Sequence, residues 1–466
     1  MRAVTLQLFL AECAAELALF AAVGFFLFSI DDLLVDIIFF ARNGWRAITV
    51  YRRHPRGDAR SLVEGRPSGW LVVMIPAWDE SAVIRAMLRA TLRSFDHPDY
   101  TLLVGYYRND PATRLAIEGV ADPRVMAVEV PSDGPTTKAD CLNHLYAFLV
   151  RLEAASGRQA RAVVLHDAED LVHPLELRIF DQLADRAGVI QLPVVPLPDR
   201  SSEWISGHYC DEFAESHGKE LVVREAVGAS IPLAGVGCAI SRFAIARLAA
   251  AHDGKPFAGG SMTEDYEMGL RIGALGERTI FVRLPESPGH PGVVASRGHF
   301  PNTLGAAVRQ KARWLGGIAF AGWDRLGWRG GLGERWFRLR DRRGPFAAVL
   351  LLAGYLSALL WGQLWLASKL GAPLPPQASP LLATLLHVNF ALLLWRVFMR
   401  IAFTTHVYGF GEGLASIPRI AIANLIAILA AGRALFLHAG GGPKKWDKTE
   451  HIFPADHLLP AGPARS

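Results

Sequence analysis

The chain has 466 residues, enough for two or three ordinary domains. Hydrophobic residues make up 51% and charged residues only 20%, which excludes intrinsic disorder and argues against a purely soluble enzyme. Lys plus Arg number 49 against 44 Asp plus Glu, and a net charge of +5 is too small to mark a nucleic-acid binder. Cys13, Cys141, Cys210 and Cys238 are scattered without CxxC spacing, so they announce neither a disulfide framework nor a structural zinc site.

In chain order, residues 17–30 form an apolar run flanked by Glu12, Glu16, Asp31, Asp32 and Asp36, and with residues 33–40 they make one longer membrane span. A cleavable signal peptide fits less well, because Arg2 is the lone early cation and no small-residue cleavage site precedes the further hydrophobic sequence. Residues 345–368 and 370–395 carry no formal charge up to Arg396, and the Pro-rich patch 372–376 separates them into two spans. Seven Arg between residues 41 and 67, and ten Lys or Arg between 309 and 343, place the large middle segment in the cytoplasm. The stretch 415–437 contains Arg419, Asn424 and Arg433 and is followed by Lys444, Lys445 and Lys448, so it reads as an interfacial or re-entrant helix.

Between Trp70 and Arg283 short apolar runs (71–75, 102–107, 125–130, 162–165, 189–194, 279–283) alternate with segments of helical period (80–92, 138–152, 175–184). The alternation predicts an α/β domain with a mainly parallel sheet covered on both faces, whose ligands bind beyond the carboxyl ends of the strands. The expected plan is a membrane helix (1–41), a linker (42–69), the α/β domain (70–308) and interfacial helices (309–344). Two spans (345–403), the interfacial or re-entrant helix (404–440) and a tail (441–466) complete it.

Polar motifs stand at several strand exits. Pro76-Ala77-Trp78-Asp79-Glu80 follows the first strand, where the acidic pair either caps a helix or faces a ligand. Asp110, after the second strand, is a turn or cap residue or a partner for a base or ribose. Gly134-Pro135-Thr136-Thr137-Lys138 suits an anion at a helix start, although it is no Walker A loop. His166-Asp167-Ala168-Glu169-Asp170 packs three carboxylates into four residues, an arrangement that favours a shared Mg2+ or Mn2+ with phosphate oxygens over a solvated acidic loop. Its His-Asp pair lacks the further His and Asp set that an HD-type hydrolase needs. Thr263-Glu264-Asp265 opens a helix and Gln310-Lys311-Ala312-Arg313-Trp314 lies in an amphipathic cationic stretch; capping and a membrane-surface helix are their ordinary explanations.

Taken in order, this set resembles the family-2 glycosyltransferases, within them the membrane-embedded synthase branch, and most nearly the phage adsorption protein B group. Asp31-Asp32, Val50-Tyr51-Arg52-Arg53, Lys138-Ala139-Asp140-Cys141-Leu142-Asn143 and Trp446-Asp447-Lys448-Thr449 add to the likeness, which runs from about Phe28 to Phe453. The resemblance implies a GT-A-like, Rossmann-type catalytic domain with transmembrane helices at both ends, in a bacterial inner membrane. It implies a UDP-hexose or UDP-N-acetylhexosamine donor bound by Pro76, Glu80, Asp110, Lys138 and Asp167, and a metal held by Asp167 and Glu169. Glu169 replaces the Asp more usual in the family and leaves open whether it or Asp170 approaches the ion. Asp265 becomes the general base of an inverting transfer, and Glu264, Gln310, Arg313 and Trp314 line the acceptor or product site. The product is an exported cell-surface polysaccharide; a non-processive transfer to a lipid carrier, or a silent receptor or scaffold, are the alternatives. The tail becomes a lid on the nucleotide site. An outer-membrane export partner, and a separate regulatory subunit if a cyclic dinucleotide controls the chain, are the expected partners, with no role for nucleic acid.

Overall fold

A computed structural model describes residues 2–440, apart from 66, 68, 291 and 374–376, together with residue 453. Its strands are β1 Leu71–Pro76, β2 Tyr100–Tyr107, β3 Val125–Val130, β4 Ala162–Leu165, β5 Val189–Gln191, β6 Val194–Pro196, β7 Cys238–Ser241, β8 Thr279–Phe281 and β9 Ser296–Gly298. Seven of them form one sheet in the order β3-β2-β1-β4-β7-β5-β8. Neighbours are parallel except β7, which runs antiparallel to both β4 and β5.

Side chains alternate across a strand, so a sheet covered on both faces needs apolar residues at every position. In β1, Leu71, Val73 and Ile75 join one core with Ile84, Leu88 and Leu177, while Val72 and Met74 join another with Leu142, Leu145 and Leu248. The Lys138–Ser156 helix covers the second face; Thr137 caps its first turn through Asp140 N–H, and Gly157 ends it in the left-handed region at φ 65°.

The run expected as one strand over 189–194 is two. Pro193 has no N–H for the ladder, so the chain leaves the main sheet and β6 pairs instead with β9, parallel. Strands β7 and β9 correspond to no run predicted from the sequence.

Among the described residues four helices are long and apolar enough to cross a membrane: Leu6–Thr49, Gly344–Lys369, Pro380–Tyr408 and Phe410–Ala439. The N-terminal helix, expected to end near residue 41, continues to Thr49, and the carboxylates of Asp31, Asp32 and Asp36 inside it are paired rather than bare. Arg343 lies 2.7 Å from Asp31 and 2.5 Å from Asp32, Arg340 reaches both, and Lys219 meets Asp36. The span expected over 370–395 starts later, at Pro380, where Ser379 caps the first turn through Leu382 N–H at 3.3 Å. It continues past Arg396, whose guanidinium lies 2.9 Å from Glu215.

The stretch read as interfacial forms the continuous helix Phe410–Ala439, about 45 Å long at ~1.5 Å per residue. Both of its ends touch the soluble part. Arg419 donates to Glu203 O at 2.7 Å and faces Asp211 at 3.4 Å, while His438 stacks on Phe320 and Ala430 and Ala434 pack with Ala312.

Candidate active site

The carboxyl ends of β1 and β4 open onto a cavity of roughly 230 Å3. Pro76 and Glu80 reach it from β1, Asp167 and Glu169 from β4, and Lys138 from the first turn of its helix. Glu264 and Asp265 enter from the first turn of the Glu264–Ala274 helix. Gln310, Arg313 and Trp314 close the opposite wall; spaced i, i+3 and i+4 on the Leu304–Leu315 helix, they share one face. Residues spread over 239 positions of sequence, from Pro76 to Trp314, thus converge on one cavity.

Lys138 is the electrostatic centre. Its Nζ lies 2.5 Å from Asp167 Oδ1. Burial alone would push it down, but Asp167, Glu264 and Asp265 together hold the ammonium well above its usual range. Two unit charges about 4 Å apart interact by ~4 kcal/mol at an effective dielectric of ~20, so at equal separations the three attractions of one ammonium only cancel the three repulsions among the carboxylates, and the cost of burying them is left uncompensated. Burial and the neighbouring Asp265 charge accordingly push Glu264 up to about 7, and burial pushes Asp265 up against the pull of Lys138. Gly235, at φ 82°, lies flat against Asp265; a Cβ there would collide with Asp265 Oδ2.

The segment that follows the Leu304–Leu315 helix is locked to the acidic turn. A Cβ on Gly317 would collide with Thr263 Oγ1, so only glycine lets the two segments meet. Thr263 does not cap the Glu264–Ala274 helix with its side chain, and Oγ1 is buried without a hydrogen-bond partner among the described residues. Tyr266, next to Asp265, donates to Asp341 Oδ2 at 2.7 Å, and Asp341 also holds Arg224 at 2.9 Å.

A buried triad that sequence reasoning missed fixes the loop after β4. His166 places Nδ1 2.8 Å from Asp170 Oδ2 and Nε2 2.6 Å from Glu176 Oε1. Burial opposes the charged ring, but the two carboxylates outweigh it and raise His166 to about 10. Asp170 Oδ2 also accepts from Asp167 N–H at 3.0 Å. Asp170 Oδ2 is thus taken up by His166 and by the Asp167 N–H.

Asp110 sits elsewhere. It does not line the cavity; Oδ1 accepts from Thr113 N–H at 3.2 Å as a helix cap and Oδ2 from Asp79 N–H at 2.6 Å. The second bond holds Asp79 at φ 55°, in the left-handed region, and so sets the turn that presents Glu80.

The donor chemistry of Asp167 and Glu169 fits a hard divalent ion. Among the described residues no group of three or more His, Cys, Asp or Glu is placed to hold one unaided, so further ligands must come from a bound diphosphate or water. No sequence motif announced the aromatic wall beside Trp314. Phe300 packs 4.9 Å from both Tyr209 and Phe213, and Tyr209 meets Trp314 edge-on at 6.1 Å. The residues 446–449, expected as a lid, lie outside the described residues; Phe453 packs on the first core of the sheet.

A mostly parallel sheet with one reversed strand, acidic strand exits and an apolar helical frame define a GT-A-like glycosyltransferase with membrane helices at both ends. The Glycosyl transferase family group 2 model matches residues 162–430, and the chain belongs to that family. It is 36% identical to Bacteriophage adsorption protein B of Escherichia coli strain K12 over 473 residues, 94% of this chain and 62% of that protein. Bacteriophage N4 adsorption protein B of Escherichia coli O157:H7 matches to the same extent. The chain thus spans less than two thirds of the length of these curated relatives. Among solved structures, a mannosyltransferase from Pyrobaculum calidifontis in complex with GDP-Man and Mn2+ is 19% identical with a TM-score of 0.47, covering 89% of this chain and 99% of that one. Glucosyl-3-phosphoglycerate synthase from Mycobacterium tuberculosis, in complex with Mn2+, UDP and phosphoglyceric acid, is 19% identical with a TM-score of 0.36, covering 60% and 86%.

Proposed function

We propose that the protein is an inverting, metal-dependent transferase that uses a UDP-hexose or UDP-N-acetylhexosamine to build an exported cell-surface polysaccharide. The observation that carries this reading is the convergence of Asp167, Glu264 and Asp265 on Lys138, opposite Gln310, Arg313 and Trp314, in one cavity. Lys138 takes the diphosphate side of the donor and stabilises charge on the leaving UDP. Asp167 and Glu169 hold Mg2+ or Mn2+, which supplies further charge stabilisation when bound. Asp265 removes the proton from the acceptor hydroxyl; its raised pKa brings its basicity closer to the working pH. A single base with direct attack at the anomeric carbon inverts its configuration. Trp314, backed by Tyr209 and Phe300, offers a flat face to an acceptor sugar.

The Arg-rich flanks of the spans support a soluble domain on the cytoplasmic side of a bacterial inner membrane. The Phe410–Ala439 helix, tied to the soluble part at both ends, lies along the interface beneath it. Such a frame suits a polar product that must leave through protein rather than lipid. Three full spans are few for a channel, and an export partner or further copies complete it. The test is incubation of the purified chain with a panel of labelled UDP-sugars and Mn2+ or Mg2+, followed by sizing of the product. A long polymer is expected. A single transferred sugar on a lipid would replace the processive reading, and no transfer from any donor would end both.

A further inference from the structure

A second cavity, roughly 370 Å3, lies behind the first. It is framed by β6, by His217 and Gly218, and by the end of the Pro380–Tyr408 helix, where Tyr408 donates to Pro196 O at 2.8 Å. The two cavities share Val194, Phe213 and Arg297 as a common wall.

Its charge is one-sided. Arg283, Arg297, His217, His290 and His406 line it, and no Asp or Glu does so among the described residues. Glu286, which interacts electrostatically with His290, is held by Arg60 at 3.0 Å. Several buried arginines elsewhere face carboxylates: Arg224 has Asp341, Arg340 has Asp31 and Asp32, and Arg419 has Asp211 and Glu412, whereas Arg342 lies over the Trp328 ring at 4.6 Å. Arg283, half-buried, makes no hydrogen bond or ion pair among the described residues, and its charged neighbour is another cation, Arg56. Burial and Arg56 both push its guanidinium down from its usual range. An unpaired guanidinium beside a second one is costly unless an anion shares them. His217 accepts Val194 N–H on Nδ1 at 3.0 Å, so its Nε2 carries the proton and is a further donor.

We propose that this second cavity binds a phosphate-bearing ligand, with Arg283 and Arg297 taking its negative charge. The planar fork of arginine matches phosphate oxygens better than any other side chain. A ligand there contacts Arg297, and through that residue it reaches the wall of the catalytic cavity. The shared chemistry fits a soluble phosphate ester or the headgroup of a phospholipid. The site stands on its own geometry and holds whether or not the catalytic cavity transfers sugar.

Arg283 belongs to the second cavity alone, which makes it the residue to change. The full-length protein is reconstituted in phosphatidylcholine nanodiscs with EDTA, and inorganic pyrophosphate is titrated by calorimetry. Binding weakened roughly tenfold or more in Arg283→Ala and Arg283→Gln, and largely kept in Arg283→Lys, is the result expected for a soluble ligand. Thermal unfolding checks that the variants fold; losing a cation pressed against Arg56 leaves the midpoint unchanged or higher. For a lipid headgroup, phosphatidic acid co-purifies in excess over phosphatidylcholine with the wild type and loses that excess in Arg283→Ala. Pyrophosphate and phosphatidic acid binding that are both absent, or both indifferent to Arg283, would overturn the proposal.

Discussion

Two regions of this molecule bury charge, and they do it in opposite ways. At the junction of membrane and soluble parts, Asp31, Asp32, Asp36 and Glu215 meet Arg340, Arg343, Arg396 and Lys219, with the indole N–H groups of Trp336 and Trp395 filling lone pairs on Asp31 and Asp36. Acids and bases there are matched. In the cleft, Asp167, Glu264 and Asp265 share Lys138, and the surplus is negative. A matched cluster holds helices in register; a mismatched one stores an electrostatic demand that a cation or a proton can meet. The difference separates what the structure needs to stand from what it needs to react.

The largest effect expected is on turnover in the cleft. Asp265→Asn lowers the rate of transfer by ~10²–10⁴, the range of a lost general base, while UDP affinity stays close to that of the wild type. Transfer rate and UDP binding are measured on the same preparation. Equal loss of both would assign Asp265 to structure and erase the contrast between the two regions.

Next comes the junction, where the effect is on stability and not on chemistry. Lys219→Met leaves Asp36 buried without its cation, and breaking such a pair costs about 3–5 kcal/mol. Removing both charges, in Asp36→Asn with Lys219→Met, recovers most of that loss, because the new amide oxygen still accepts from Trp395 and no charge is stranded. Thermal unfolding in detergent reads both variants. A double variant no better than the single one would show that the pair does more than balance charge.

A smaller effect follows from pH. Glu264 binds its proton more tightly in the folded protein than in the unfolded chain, because its pKa is raised from 4.5 to about 7. The folded state then carries more protons between pH 4.5 and about 7, so stability from this group is present below that window and falls as pH rises through it. Glu264→Gln removes the charge and with it this group's share of the decline, so the unfolding midpoint falls less between about pH 5 and about pH 7 than in the wild type. Mg2+ or Mn2+ added to the wild type raises the midpoint at the upper end of the window and has little effect at the lower end. A midpoint that climbs with pH in the wild type would contradict the surplus of negative charge.

Much of the cleft was legible because its motifs lie at strand exits, and an all-apolar strand of six residues such as β1 is hard to mistake. Asp167, Thr263-Glu264-Asp265 and Gln310-x-x-Arg313-Trp314 meet where the resemblance implied. What escaped is short or contingent on tertiary partners. β7 and β9 have four and three residues, below any useful window of periodicity. The His166–Glu176 contact joins two residues with no motif in common, and Tyr209, Phe213 and Phe300 are ordinary apolar residues until they are folded beside Trp314. Asp31, Asp32 and Asp36 marked an imperfect span in sequence because their cations come from more than 180 positions away.

Asp110 offers the finest test: the sequence left both a cap and a ligand contact open, the resemblance implies the nucleoside contact, and the structure shows the cap. As a nucleoside contact, its loss would weaken UDP binding and leave folding alone. In the structure both carboxylate oxygens are occupied by backbone N–H groups, from Thr113 and Asp79, and the side chain sits outside the cavity. Asp110→Ala therefore costs about 1 kcal/mol of stability, the usual worth of a cap. Because the Asp79 turn carries Glu80, the same variant also weakens UDP binding, but only a few-fold, since Lys138 and Asp167 remain in place. Asp110→Asn keeps one accepting oxygen and turns an NH2 toward Asp79 N–H or Thr113 N–H, so it falls between wild type and Asp110→Ala in both readouts. UDP affinity that drops in step with stability across the three proteins marks a positioning residue; an affinity that collapses in Asp110→Asn while stability holds marks a direct contact made only when nucleotide is bound.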